Sequence, residues 1–146
     1  MKTKLFFMLL LSFFTLSVFA DQLINLSTDQ LIAMQKNNNA LVIDIRTEKE
    51  WATTGTIPDS HKLQFFSPKG KFNTKEWLAN LDQLKSSPDQ PVILVCRSGN
   101  RSGRAGNILT KQMGMKNIYH LSNGMQSWVK AGNQTTKNCL PNIACK

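Results

Sequence analysis

Apolar residues fall along this chain in two rhythms: short unbroken aliphatic runs, and longer stretches that repeat at helical spacing. Residues 23–26 read as a short strand, Ser27 as a helix N-cap, and Leu31, Ile32 and Met34 as the start of a helix that the Asn37 to Asn39 run ends. Residues 41–45 form a second strand; Thr47 then caps a brief helix through Trp51, and Gly55 with Pro58 marks a loop. A short strand over 61–66 and a turn at 67–70 follow, then a helix presenting Trp77, Leu78, Leu81 and Leu84, capped by Asn73 or Thr74. Val92, Ile93, Leu94 and Val95 are an unalternating run of the kind a parallel strand needs when both its faces are covered. Ser102 is the expected N-cap of a helix over 104–113, whose apolar side is Ile108, Leu109 and Met113; Gly114 ends it, and residues 117–121 form a further strand. Trp51, Trp77 and Trp128 sit on apolar helix faces and are expected in the core. Strands alternating with helices predict one α/β domain built on a parallel sheet.

The N-terminus changes the picture of where this domain works. Lys2 and Lys4 precede an apolar or hydroxyl-bearing stretch at 5–19, and Val18-Phe19-Ala20 offers small residues where a signal peptidase reads. Residues 1–20 are therefore expected to be a signal peptide cleaved after Ala20, with a periplasmic or secreted destination. The stretch is shorter than the ~20 residues a spanning helix needs, and no stable membrane insertion is expected after its removal. Of 146 residues, taking away 20 leaves 126, enough for one domain with its own core. The formal charge falls from +9 to +7 with the loss of Lys2 and Lys4. The remaining basic residues are dispersed, and export separates the chain from nucleic acid, so steering of small anions is the economical use of the charge.

The chemistry concentrates at PVILVCRSGNRS, residues 91–102. Cys96 lies at the carboxyl end of the aliphatic strand, the edge at which open α/β sheets bind ligands. Arg97, Ser98, Gly99, Asn100 and Arg101 can curl so that successive backbone N–H groups point inward, making a nest for an anion or a thiolate. Helix N-termini and adjacent cations favour the thiolate form of a cysteine, so the setting marks Cys96 as a nucleophile. Asp44 and Arg46 bracket a strand end nearby, and such an acid–base pair more often orients loops than takes part in chemistry. His61 and His120 lie in no metal-ligand spacing and read as strand or surface residues. A cysteine–histidine protease would need an accompanying motif, and none is present. Neither a metal nor an organic cofactor is expected.

CRSGNRS at 96–102 resembles the active-site loop of rhodanese-type sulfurtransferases. LVIDIR at 41–46 is similar to that family's early strand ending in Asp-x-Arg, and Glu50, Trp51, Gly55, Ile57 and Pro58 resemble its next elements. LSNGMQSWVKAG at 121–132 resembles its closing Gly-Gly-Met-x-x-Trp helix. The resemblance spans about residues 23–132 in the family's order, and with the export signal and single domain it is nearest to small periplasmic rhodaneses of the phage-shock type. It implies a three-layer α/β domain over 21–132: a central, mainly parallel sheet with helices on both faces. Departures are Thr56 before Ile57, Asp59-Ser60 after Pro58, and Asn123 where the first of two glycines is usual.

Loop length separates two activities of that fold. Phosphatases on it, like tyrosine phosphatases, place arginine six positions after the cysteine; here that position is Ser102, and Arg101 comes one residue early. The resemblance thus implies transfer of a single sulfur, with Cys96 catalytic, residues Arg97 to Arg101 binding substrate, and Asp44, Arg46 and Ser102 in support. Arg97 resembles the thiosulfate-using members, which implies a small anionic sulfur donor and a thiophilic acceptor such as cyanide or a thiol. Residues 133–146 are a polar tail holding Cys139 and Cys145. Oxidising surroundings and the Pro141-Asn142 turn favour a disulfide between these two. Pairing of either with Cys96, or use as a resolving dithiol, are the alternatives. A thiol–disulfide redox enzyme and a non-catalytic persulfide carrier or interaction module are the rival functions.

Overall fold

The computed structural model describes residues 22–136. The expected signal peptide at 1–20 and the expected Cys139–Cys145 disulfide lie outside the described residues.

Five strands, β1 (Ile24–Leu26), β2 (Leu41–Asp44), β3 (His61–Lys62), β4 (Val92–Val95) and β5 (Ile118–Leu121), form one sheet in the order β1-β5-β4-β2-β3. Every neighbouring pair in it is parallel. Helices α1 (Thr28–Asn37), α2 (Glu48–Thr54), α3 (Thr74–Leu84) and α4 (Asn100–Asn107) lie between successive strands, and α5 (Gly124–Lys130) follows β5. The fold is the expected three-layer α/β arrangement, and strand alternation shows why. Leu41, Ile43, Val92 and Leu94 point to one face, against Trp77 and Leu81 of α3 and Ala105 of α4. Val42, Ile93 and Val95 point to the other, against Leu31 of α1 and Met125 and Trp128 of α5. All four residues of β2 and of β4 are buried, as strands covered on both faces must be.

Local signals set the helix starts. Ser27 and Thr47 each close a reciprocal capping box, with Gln30 and Glu50 respectively, and Asn73 accepts from the Glu76 N–H. The three tryptophans are buried. Some expected boundaries move. Of the strand expected over 61–66, the regular ladder with β2 covers His61–Lys62, and the Leu63 and Phe65 N–H groups go on to donate to Asp44 O and Ile45 O. The helix after Thr47 runs on to Thr54, and Ile45 lies just past β2 while still donating its N–H to Val95 O. Beyond α4 the chain continues as a π-helical turn, Ile108–Gln112, in which the Met113 N–H reaches back to Ile108 O.

Candidate active site

Cys96 follows β4 directly, at the carboxyl edge of a central strand. It is 1% exposed, so its sulfur sits on the floor of the loop rather than at the surface. The Gly99 N–H donates to Sγ at 3.1 Å, and the Ser102 hydroxyl lies 3.3 Å from it. Helix α4 starts at Asn100 with Gly99 as its N-cap, in a left-handed conformation of φ 91°. This corrects the placing of Ser102 as the N-cap. Glycine at 99 turns the chain early, so Ser102 falls inside the first helical turn and its hydroxyl is directed at the sulfur and at Gly99 O.

Two glycines let the loop close. A Cβ on Gly99 would lie 1.7 Å from Ser122 O, and one on Gly124 would lie 2.3 Å from Cys96 O. With no side chain at 124, α5 begins against the loop: the Met125 N–H donates to Cys96 O at 2.8 Å and the Gln126 N–H to Arg97 O at 3.0 Å. The start of α5 takes up the loop's carbonyls, and the Gly99 N–H is left to face the sulfur. Positive electrostatic potential from the N-terminus of α4 adds to that bond. This part of α5 was legible as a motif, but its hold on the loop was not.

The loop's arginines part company. Arg97 is exposed and makes no ion pair among the described residues. Arg101 is half-buried and gives Nη1 and Nη2 to the two carboxylate oxygens of Glu50 at 2.9 and 2.5 Å. Burial pushes the Glu50 carboxyl up, but hydrogen bonds from Arg101 and from the Thr47 backbone and hydroxyl, with the Arg101 charge, outweigh it and hold the group at about 2. The Arg101 guanidinium is correspondingly held above its ordinary value, chiefly by the Glu50 hydrogen bonds. Its guanidinium is thus paired with α2, while Arg97 stands exposed at the loop. Ser98 is half-buried and Asn100 exposed at the loop's rim. Arg97 also lines a groove of about 730 Å³ between α2 and α5, together with Arg46, Glu50, Met125 and Gln126.

Asp44 and Arg46, both 1% exposed, form a buried ion pair under this groove. Arg46 Nε donates to both Asp44 oxygens at 2.9 and 3.1 Å, and Nη2 to Asp44 Oδ2 at 2.7 Å. Nη1 donates to Thr54 Oγ1 and Nη2 also to Gly55 O, so Arg46 ties the end of β2 to the end of α2.

One residue near the sulfur was read as strand or surface only. His120, on β5, lies with Nδ1 3.2 Å from Ser102 Oγ and Nε2 2.6 Å from Asn25 Oδ1 of β1. His120 is buried, and burial lowers its basicity. Nothing local in the sequence links Asn25, Ser102 and His120; strand order alone brings β1 and β5 side by side next to α4.

The parallel five-stranded sheet flanked by helices is a rhodanese-like α/β fold, and the family model for a Rhodanese-like domain matches residues 27–131. The chain belongs to the rhodanese-like family. It is 32% identical over 92 residues to an uncharacterized protein of Rickettsia prowazekii, covering 62% of this chain and 72% of that one. Among solved structures it is similar to the polysulfide-sulfur transferase homodimer of Wolinella succinogenes, at TM-score 0.59 and 22% identity, covering 83% of each chain. It is also similar to a Rhodopseudomonas palustris protein described as a possible tyrosine phosphatase, at TM-score 0.58 and 23% identity, covering 77% of this chain and 84% of that one. At these identities the two structures speak for the fold.

Proposed function

We propose that this chain is a sulfurtransferase that carries sulfur as a persulfide on Cys96, taking it from a small anionic donor such as thiosulfate. The observation that carries the reading is the short loop itself: Cys96 Sγ under the Gly99 N–H and beside the Ser102 hydroxyl, with Ser102 at the sixth position after the cysteine. A phosphoryl group presents three oxygens and calls for a guanidinium at that sixth position. Here the loop's later arginine comes at the fifth, and its charge is spent on Glu50.

In the first step the Cys96 thiolate attacks the outer sulfur of thiosulfate. A new S–S bond forms to Cys96, the old one to the sulfonate breaks, and sulfite leaves with its electron pair. The persulfide's terminal sulfur is then attacked by cyanide or a thiolate, which departs with that sulfur and returns the Cys96 thiolate. One covalent intermediate divides the transfer into two easier displacements. Gly99 N–H supplies fixed positive potential where negative charge rests on sulfur, and exposed Arg97 draws the donor to the mouth. Support by analogy comes from the Wolinella succinogenes protein, whose name is polysulfide-sulfur transferase.

The reading extends to the compartment. A leader at 1–20, a mature chain exported to the periplasm or beyond, and a Cys139–Cys145 disulfide that keeps two competing thiols from the persulfide make this a small exported rhodanese of the phage-shock type. Turnover tests the activity: the protein should convert thiosulfate and cyanide to sulfite and thiocyanate, and Cys96→Ser should abolish this. Aryl-phosphatase turnover that Cys96→Ser abolishes, without sulfur transfer, would overturn it.

A further inference from the structure

A histidine on β5 stands one hydroxyl away from the Cys96 sulfur, and an asparagine on β1 fixes its tautomer. Asn25 Oδ1 can only accept, so His120 Nε2 carries a hydrogen and donates it at 2.6 Å. With Nε2 protonated, Nδ1 of the neutral ring is an acceptor 3.2 Å from the Ser102 hydroxyl, and it competes with Gly99 O at 3.1 Å for that hydroxyl's one proton. The same hydroxyl lies 3.3 Å from Sγ and can donate to it as a thiolate, while its oxygen can accept from it as a thiol.

We propose that His120 is a positioning residue that holds the Cys96 proton through Ser102, giving a thiol–imidazole state and a thiolate–imidazolium state on one set of heavy atoms. In the first state Cys96 S–H donates to Ser102 Oγ, and Ser102 O–H donates to Nδ1. In the second Nδ1–H donates to Oγ, and Ser102 O–H donates to the thiolate. Passing between them breaks the S–H bond, forms an O–H bond with that proton and moves the serine's own proton to Nδ1. No electron changes hands, and the Nε2–H to Asn25 bond persists throughout. The inference rests on Cys96 as the nucleophile proposed above and names what takes up its proton.

The surroundings fit a proton holder better than a packing residue. A Cβ on Gly103 would come 3.3 Å from His120 Cε1, so glycine there lets the ring lie against the first turn of α4. Asn25 and His120 line a surface pocket of about 360 Å³ with Gln22, Gly103, Asn107 and Lys111, and it shares no lining residue with the Arg97 groove. The groups facing the ring are Asn25 from β1, Ser102 and Gly103 from α4, Cys96 through Ser102, and Lys111 from the π-helical turn. Burial opposes the imidazolium, and a thiolate at Cys96 favours it.

Coupling of two titrating groups is reciprocal, which allows a test without any sulfur donor. The imidazole signal of His120 is followed by NMR against pH in the full chain, in Cys96→Ala, and in each of these with Ser102→Ala added; His61 is the internal control. His120 should lose its proton at lower pH in Cys96→Ala than in the parent, and adding Ser102→Ala should erase that difference. Identical titration with and without the Cys96 sulfur would overturn the proposal. Alkylation by iodoacetamide is the second readout: His120→Gln should slow it about tenfold at about pH 6 and leave it unchanged at about pH 9. An equal effect at both pH values, or none, would count against the relay. Because neither readout involves sulfur transfer, a chain that shows the coupling yet transfers no sulfur would keep this inference and discard the proposed function.

Discussion

Arg101, in the loop that follows the candidate nucleophile, is held by Glu50 of α2 through two parallel hydrogen bonds of 2.9 and 2.5 Å. Glu50 also closes the capping box with Thr47, so one carboxylate fixes both the start of α2 and the wall of the loop. The pair turns a cation that looks like an anion receptor into a brace.

The brace has a pH signature. The Glu50 carboxyl sits at about 2 in the folded chain against an ordinary 4.5. Its contribution to stability is therefore present above about pH 4.5 and drains away as pH falls toward about 2. Acid unfolding followed by circular dichroism should show Glu50→Gln less stable than the parent at neutral pH, with the two curves converging as pH approaches that lower value. A constant gap down to the lower value would mean that the carboxylate charge is not what holds Arg101.

Arg97 and Arg101 should fail differently. Arg97→Ala removes an exposed charge at the mouth, so KM for thiosulfate should rise about threefold to tenfold and its dependence on ionic strength should flatten. Arg101→Ala loosens the loop, so kcat should fall while the salt dependence of KM is kept. Steady-state kinetics at low and high salt separate the two, and matching profiles for both variants would return Arg101 to the anion site.

Gly99→Ala puts a methyl group where Ser122 O already is and forces alanine into φ 91°. The loop must open, the Gly99 N–H must leave the sulfur, and activity should drop by about a hundredfold or more. The left-handed strain adds roughly 1–3 kcal/mol of destabilisation, readable by urea unfolding. Full activity in this variant would show that the Gly99 N–H is dispensable.

Burial pushes both His61 and His120 below their ordinary 6.5. Above that value both states of the chain are neutral at these rings. As pH falls through it, the unfolded chain takes up protons that the folded chain declines, so stability should decrease between the unfolded value and the lowered folded ones. Urea midpoints at about pH 8 and about pH 5.5 measure the fall, and His61→Gln should shrink it.

What the sequence made legible was local. Ser27, Thr47 and Asn73 cap helices through residues three positions on, and Val92 to Val95 declare a doubly covered strand by composition alone. Contacts set by strand order were hidden. Arg101 meets Glu50 across 51 residues, and His120 meets Asn25 across 95, with no periodicity to announce either. Ser102 was found for a different reason: its cap chemistry stood out, but Gly99, free to adopt a positive φ, started the helix earlier and made the serine a neighbour of the sulfur.

The most direct test is the mass of the intact protein after brief exposure to thiosulfate and removal of excess donor. The parent chain should gain the mass of one sulfur atom, lose it on adding cyanide, and show no gain as Cys96→Ser. A parent chain that gains nothing, or a gain that survives the loss of Cys96, would contradict a persulfide at this site.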